Sequence, residues 1–273
     1  MQKIGCLPFV FVSAFLSCST AFAQMSAVGG DRWPDSWNVI DPERRRMTIV
    51  DEMDREYDSV WTIHPQSPIS GIVTLQELEH QIPRRADREF KKAWAAQRKG
   101  DRETAIVYFQ KAIAIDAEFC AALNDLGTTY LQTDQPDLAI EQFNKAIAVD
   151  PHRAKPYSNL ALAYLRKDQY SDAERAARYA LDLDRTGAYG HLTLGMSLVL
   201  QEKFTAEMER SLERAALDYG SANFWLAIAL LSKGDIDNAK TRFKVYLASG
   251  QKAGIEIARS LMEQLELVVH DRQ

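Results

Sequence analysis

Residues 120–153 read CAALNDLGTTYLQTDQPDLAIEQFNKAIAVDPHR. Leu123, Leu126, Gly127 and Tyr130 stand at i, i+3, i+4 and i+7, which places them on one face of a helix. The polar break Thr133-Asp134-Gln135-Pro136 ends that helix, because proline cannot continue it. A second helix then carries Ala139, Phe143, Ala146 and Ile147 on one face until Asp150-Pro151 stops it. Neither helix can bury its stripe alone, so the pair must stack on other pairs built the same way.

The chain supplies those other pairs. Ala105, Ala139 and Ala173 are 34 residues apart, as are Ala112, Ala146 and Ala180, and Phe109 and Phe143. Ala93, Gly127, Ala161 and Gly195 keep the same step. Small residues in register let paired helices approach closely, while Tyr and Phe fill the space around them. Five units follow, at 86–119, 120–153, 154–187, 188–219 and 220–250. In the first, Lys92 and Ala96 replace a Leu and a Tyr; in the third, Ala177 replaces the large aromatic. Leu194-Gly195 to Leu226-Ala227 is only 32, so the fourth unit is shorter. Its second helix is displaced by one residue, with Leu212 and Ala215 in the core roles. A closing helix is expected within 252–269, with Ile257, Leu261, Leu265 and Val268 on its apolar stripe.

Leu126-Gly127, Tyr130, Ala139, Phe143, Ala146 and Pro151 match the pattern of the tetratricopeptide repeat, and the chain resembles that family over about two thirds of its length. The resemblance implies an all-α, right-handed α-solenoid of about five helix pairs with a capping helix. It also implies that the first helices of successive repeats line a concave groove that grips peptides. Carried over to this chain, the groove positions are Phe90 and Trp94, Asn124 and Thr128, Ser158 and Leu162, Leu192 and Met196, and Phe224 and Ile228. Lys155, Tyr189 and Ser221 stand at the groove-facing helix starts. Several of these side chains are large and apolar, which suits an amphipathic helix or an extended apolar segment. The family's best-known subgroup clamps a C-terminal carboxylate with Lys, Asn, Asn, Lys and Arg. Here those places hold Phe90, Trp94, Asp125, Lys155 and Asn159, so only Lys155 agrees and no chaperone-tail clamp is expected.

The first 23 residues read as an export signal. Lys3 precedes an uncharged apolar run at 4–16, and Ala21-Phe22-Ala23 is a small-x-small cleavage site. The run is shorter than the roughly 20 residues a membrane span needs. A periplasmic or secreted protein cleaved after Ala23 is therefore expected. The alternative is a lipoprotein acylated at Cys18, although Phe15 stands where the lipoprotein box has Leu. After cleavage only Cys120 remains, so no internal disulfide can form. Residues 24–85 form a separate N-terminal region. Asp41 is a helix cap with Pro42 at the first turn, and Met47, Val50, Met53, Tyr57, Val60 and Trp61 follow at helical spacing. This helix, at about 42–61, needs a partner for its stripe; it docks on the first repeat, fills the chain's own groove or binds another protein. A second short segment runs 75–81.

Composition supports helix and excludes several classes. The 273 residues hold 13 Gly and 9 Pro, about 8 %, which argues against turn-dense all-β or collagen-like chains. A hydrophobic content of 46 % excludes wholesale disorder. The net charge of −5 and an export signal both argue against a nucleic-acid partner. The basic clusters at Arg44-Arg45-Arg46 and Arg84-Arg85 read as solvated faces, with an anionic lipid or partner surface as the alternative. Glu77-x-x-His80 is a single copy of a pair that di-iron bundles use twice, and no His-x-x-x-His exists. Neither a catalytic constellation, a metal site nor a cofactor is expected. The sequence points to an exported scaffold or adaptor for a protein or peptide partner, with a structural subunit of an envelope complex as the alternative.

Overall fold

The computed structural model describes residues 80–250 and 255–270, and among them it holds eleven helices and no strand. They are α1 (Arg84–Arg98), α2 (Arg102–Ile115), α3 (Cys120–Gln132), α4 (Pro136–Val149), α5 (Ala154–Arg166) and α6 (Tyr170–Leu183). Then come α7 (Ala188–Leu200), α8 (Ala206–Ala215), α9 (Ser221–Ser232), α10 (Ile236–Ala248) and α11 (Ile255–His270). The expected leader, the helix at 42–61 and all but the end of the segment at 75–81 lie outside the described residues. Among the described residues no helix is long and apolar enough to cross a membrane.

Each pair is closed by one residue in the left-handed region. Gly100 (φ +77°), Asp134 (+56°), Asp168 (+56°), Glu202 (+58°) and Gly234 (+78°) occupy the same place in successive pairs. The residue after each donates its N–H to a carbonyl five positions back: Gln135 to Tyr130 at 2.8 Å, Gln169 to Tyr164 at 2.9 Å, Lys203 to Leu198 at 2.8 Å. Such 6→1 bonds satisfy carbonyls that the helix end would leave open. Glycine adopts this backbone freely, but an L-residue carries roughly 1–2 kcal/mol of strain in it. Glu202→Gly is therefore expected to raise stability by about 0.5–1 kcal/mol once the greater freedom of unfolded glycine is subtracted. A urea midpoint at or below that of the parent would contradict this account of the turn.

Between pairs the chain turns on a second recurrent device. Asp116, Asp150 and Asp184 each follow a second helix, and each accepts an N–H two residues on, from Glu118 (3.2 Å), His152 (3.2 Å) and Thr186 (3.0 Å). These Asx turns redirect the backbone without an unmet donor.

The described residues form two compact units, 80–197 and 198–270, the division falling inside α7. In the first unit α1 to α6 pack in sequence, each on the next, and α3 also touches α5. In the second, α8 packs on α9, α9 on α10 and α10 on α11. Sequential helix packing of this kind is that of an α-solenoid. The repeated small residues sit at the closest approaches: Ala93, Ala105, Ala112, Ala139, Ala146 and Ala173 are all fully buried, with Phe109 and Phe143 between them. In the shortened α8, Met208, Leu212 and Ala215 face the core.

Two details differ from the sequence reading. α1 starts at Arg84, ahead of the repeat boundary at Ala86, because Pro83 (φ −57°) already has a helix-compatible φ and accepts from Asp87 N–H at 3.1 Å. α11 buries Ala258, Leu261 and Met262, whereas Ile257 and Leu265 are only half-buried. Its buried face is thus rotated from the expected stripe, since Ala258 is small enough to let the helix settle closer.

Gly127 shows why the small column matters. A Cβ added there would lie 2.6 Å from Cε1 of Phe143, inside any permitted contact. Gly127→Ala gains about 1 kcal/mol of helix propensity but forces a buried ring aside, at about 1–3 kcal/mol. We expect a net loss on the order of 1 kcal/mol in urea denaturation, which Phe143→Leu in the same chain partly relieves.

Candidate protein-interaction groove

The first helices α1, α3 and α5 bring the sequence-derived groove positions of the first unit together. Asn124 Nδ2 donates to Asp125 Oδ1 at 3.0 Å, and Asn159 Nδ2 donates to Asn124 Oδ1 at 2.8 Å. Thr128 Oγ1 donates to the Asn124 carbonyl at 3.1 Å and lies 3.5 Å from Asn159 Nδ2. The Trp94 indole N–H donates to Asp125, and Lys155 Nζ stands 3.9 Å from the same carboxylate. Gln97 extends the ladder, donating to Thr129 (3.4 Å) and Gln132 (3.3 Å). Side chains of three consecutive first helices are thus tied by polar contacts, which fix their spacing more tightly than apolar packing would.

These groups are closed on one another. Asn124 is 3 % exposed and Asp125 7 %, and Thr128, Ser158, Leu162 and Asn159 are buried as well. Trp94 is half-buried, and Lys155 keeps 47 % of its side chain exposed. Phe90 packs as an aromatic linker, its ring 4.7 Å from Phe119, 5.6 Å from Phe109 and 6.4 Å from Trp94. On α7, Leu192 and Met196 are buried and Tyr189 is half-buried. In the second unit Phe224 lies 5.5 Å from Tyr246 and 5.8 Å from Phe243, so its ring belongs to the α9–α10 contact; Ile228 is also buried. The partly exposed candidates on the first unit are therefore Phe90, Trp94, Lys155 and Tyr189.

Asp125 and Asn159 entered the sequence reading only as places where a carboxylate clamp fails. In the structure they anchor the ladder. Their signal was their step of 34, which puts them at one position of successive first helices. An Asp where the clamp has an amide inverts the local preference, because a carboxylate only accepts hydrogen bonds.

Electrostatics follow from burial. Desolvation raises the pKa of Asp125 above its ordinary 3.8, against the opposing pull of Lys155, Asn124 and Trp94. Burial, helped by the charges of Asp150 and Asp125, pushes the Cys120 thiol up to about 12. Cys120 Sγ is also 3.5 Å from the Ala146 carbonyl, so it acts as a small packed residue without thiolate character. His80, of the isolated Glu-x-x-His, pairs with Asp116 at 2.9 Å. Among the described residues no group of three His, Cys, Asp or Glu could hold a metal ion.

The sign for Asp125 runs one way. A raised pKa means the folded chain binds that proton more tightly than the unfolded one, so stability from this group is full below 3.8 and falls as pH rises above it. Asp125→Asn keeps an acceptor for Trp94 and removes the ionisation. The variant should therefore gain on the parent in urea midpoints as pH rises above about 4. A parent–variant difference that is flat with pH, or grows toward acid, would contradict the buried-carboxylate assignment.

Comparisons with known proteins bear on the fold. Residues 90–159 match the tetratricopeptide repeat family model. Among solved structures, the thermophilic TPR protein TTC0263 of Thermus thermophilus is 21 % identical with a TM-score of 0.55, aligning 67 % of this chain with 99 % of its own. The pilF protein of Pseudomonas aeruginosa is 21 % identical, TM-score 0.58, over 68 % of this chain and 85 % of that one. PilW, a type IV pilus biogenesis factor, is 20 % identical, TM-score 0.58, over 69 % and 94 %. No curated protein matches the sequence. At these identities the likeness is one of fold. Residues 90–159 are thus similar to tetratricopeptide repeats, and the described residues fold like solved proteins of that repeat class.

Proposed function

We propose that this protein is a non-catalytic scaffold of the cell envelope that holds a protein or peptide partner along the first-helix face of its first unit. The observation that carries the reading is the Trp94–Asp125–Lys155 cluster. There a half-buried indole and a half-exposed ammonium flank a buried polar ladder that repeat packing does not require. Rigid, preorganised side chains of this kind lower the entropic cost of gripping a partner. An extended or helical segment would lay apolar groups on Phe90 and Trp94 and an acidic or carbonyl oxygen near Lys155. The export signal read in residues 1–23 supports the envelope location, and the pilus-biogenesis description of PilW is in keeping with it. No metal, cofactor or nucleic acid enters this reading. The same features serve the alternative, a structural subunit of an envelope assembly anchored through Cys18 or the basic clusters.

Crosslinking and capture from envelope extract tests the groove. The full chain is compared with a Trp94→Ala, Lys155→Glu double variant whose circular dichroism melt matches the parent. We expect capture to fall at least tenfold, equivalent to about 1.4 kcal/mol. Equal capture by both would remove the groove; membrane co-fractionation that depends on Cys18 would favour the structural-subunit reading.

A further inference from the structure

Helix α1 differs from α3 and α5 in what its outer face carries. In α3, Ala122, Asp125 and Thr129 meet the preceding pair: Ala122 packs with Ala86 and Ala112, the Trp94 indole donates to Asp125, and Gln97 donates to Thr129. In α5 the same positions are Pro156, Asn159 and Ala163, all buried, and Asn159 donates to Asn124. One step of 34 earlier they are Arg88, Lys91 and Ala95, and both cations are exposed. A further pair stacked there would have to bury those charges, so this face is an end of the array. Arg84, Arg88, Lys91, Ala95 and Arg98 stand at i, i+4, i+7, i+11 and i+14, one straight stripe along α1. Arg85, Lys92 and Lys99 border it, and all of these cations are exposed. The helix holds two acids, Asp87 and Glu89, which pair with Lys91 and Lys92 at 2.7 Å each. In a chain of net charge −5 the stripe is a local reversal of sign. Helix stability does not call for it, because Arg84 and Arg85 occupy the first turn, where the macrodipole disfavours cations.

We infer that this stripe docks the protein on an anionic lipid bilayer, with α1 lying lengthwise on the headgroups. Charge and shape select the occupant. A protein interface gathers aromatic side chains at its core and is depleted in lysine, whereas the stripe offers cations and one alanine. A straight convex row of cations also sets no register for a protein partner. A headgroup layer needs none: its negative charge is spread over a plane, and each cation brought near it adds attraction. Ile82, 43 % exposed just ahead of the helix, adds an apolar group that the interfacial zone takes up. The attraction is electrostatic and therefore reversible, and salt weakens it. This goes beyond the scaffold reading and uses neither Trp94 nor Lys155, the groups that carry that reading.

Flotation of the full chain with lipid vesicles tests the occupant. One set of vesicles is phosphatidylcholine alone, the other phosphatidylcholine mixed with phosphatidylglycerol. The parent should partition onto the anionic vesicles at least tenfold more strongly than onto the neutral ones, and should lose that preference as salt is added. An Arg84→Gln, Arg88→Gln, Lys91→Gln, Arg98→Gln variant, with a circular dichroism melt matching the parent, should bind the anionic vesicles at least tenfold less. A Lys145→Gln, Arg210→Gln, Arg214→Gln, Lys244→Gln variant removes the same charge elsewhere and should bind like the parent. Any binding through the apolar run at 4–16 is common to all three chains and cancels. Equal partitioning of the parent and the α1 variant would overturn the proposal, as would an equal loss in the charge-matched variant. A parent that binds poly-glutamate but neither set of vesicles would overturn it too, in favour of an acidic protein. The capture test at Trp94 and Lys155 leaves the α1 cations in place, so the two ideas fall separately.

Discussion

One constraint governs the molecule: two short helices can bury only one face each, and the other apolar faces must find a neighbour. The small residue of each first helix is where that constraint becomes geometry. At Gly127 the distance to the Phe143 ring leaves no room for even a methyl group, so the ring fixes how closely α3 and α4 lie. Where Ala177 stands in place of the aromatic, Ala161 stands in place of the glycine, and both are fully buried. Each pair then presents the next with a surface of the same shape.

The turns serve the same end. A left-handed residue closes every pair, and an Asx turn joins successive pairs in the first unit, so direction changes occur with backbone donors and acceptors met. Three of the five left-handed residues that close the pairs are not glycine. Their strain is borne because the helices on either side determine the path of the chain. Polar side chains complete the scheme from the inner side, where Asn124, Asp125 and Asn159 tie α3 to α5 by hydrogen bonds that an apolar seam would lack. The consequence is a carboxylate out of water, which is why Asp125 holds its proton more tightly than an ordinary aspartate.

The inner faces of the two units differ in kind. In the first unit they are polar, mutually bonded and edged by Trp94 and Lys155. Around α9 the buried side chains are mostly apolar, with Asn223 accepting from Arg242 at 3.3 Å.

Sequence alone determined the architecture, because the step of 34 in small and aromatic residues is a direct image of helix contacts, and helix contacts between neighbours are local in the chain. It located the turn at 133–136 and the displaced core of α8 through Leu212 and Ala215 for the same reason. It named Asn124, Thr128, Ser158 and Leu162 as inner positions, since register gives direction. What it could not give was how far each is covered, or that Phe90 and Phe224 pack their rings on Phe119 and Tyr246. Those outcomes depend on how much space is left once several helices have settled, as does the rotation of α11 onto Ala258. Periodicity reports which way a side chain points; only the assembled helices decide what it meets there.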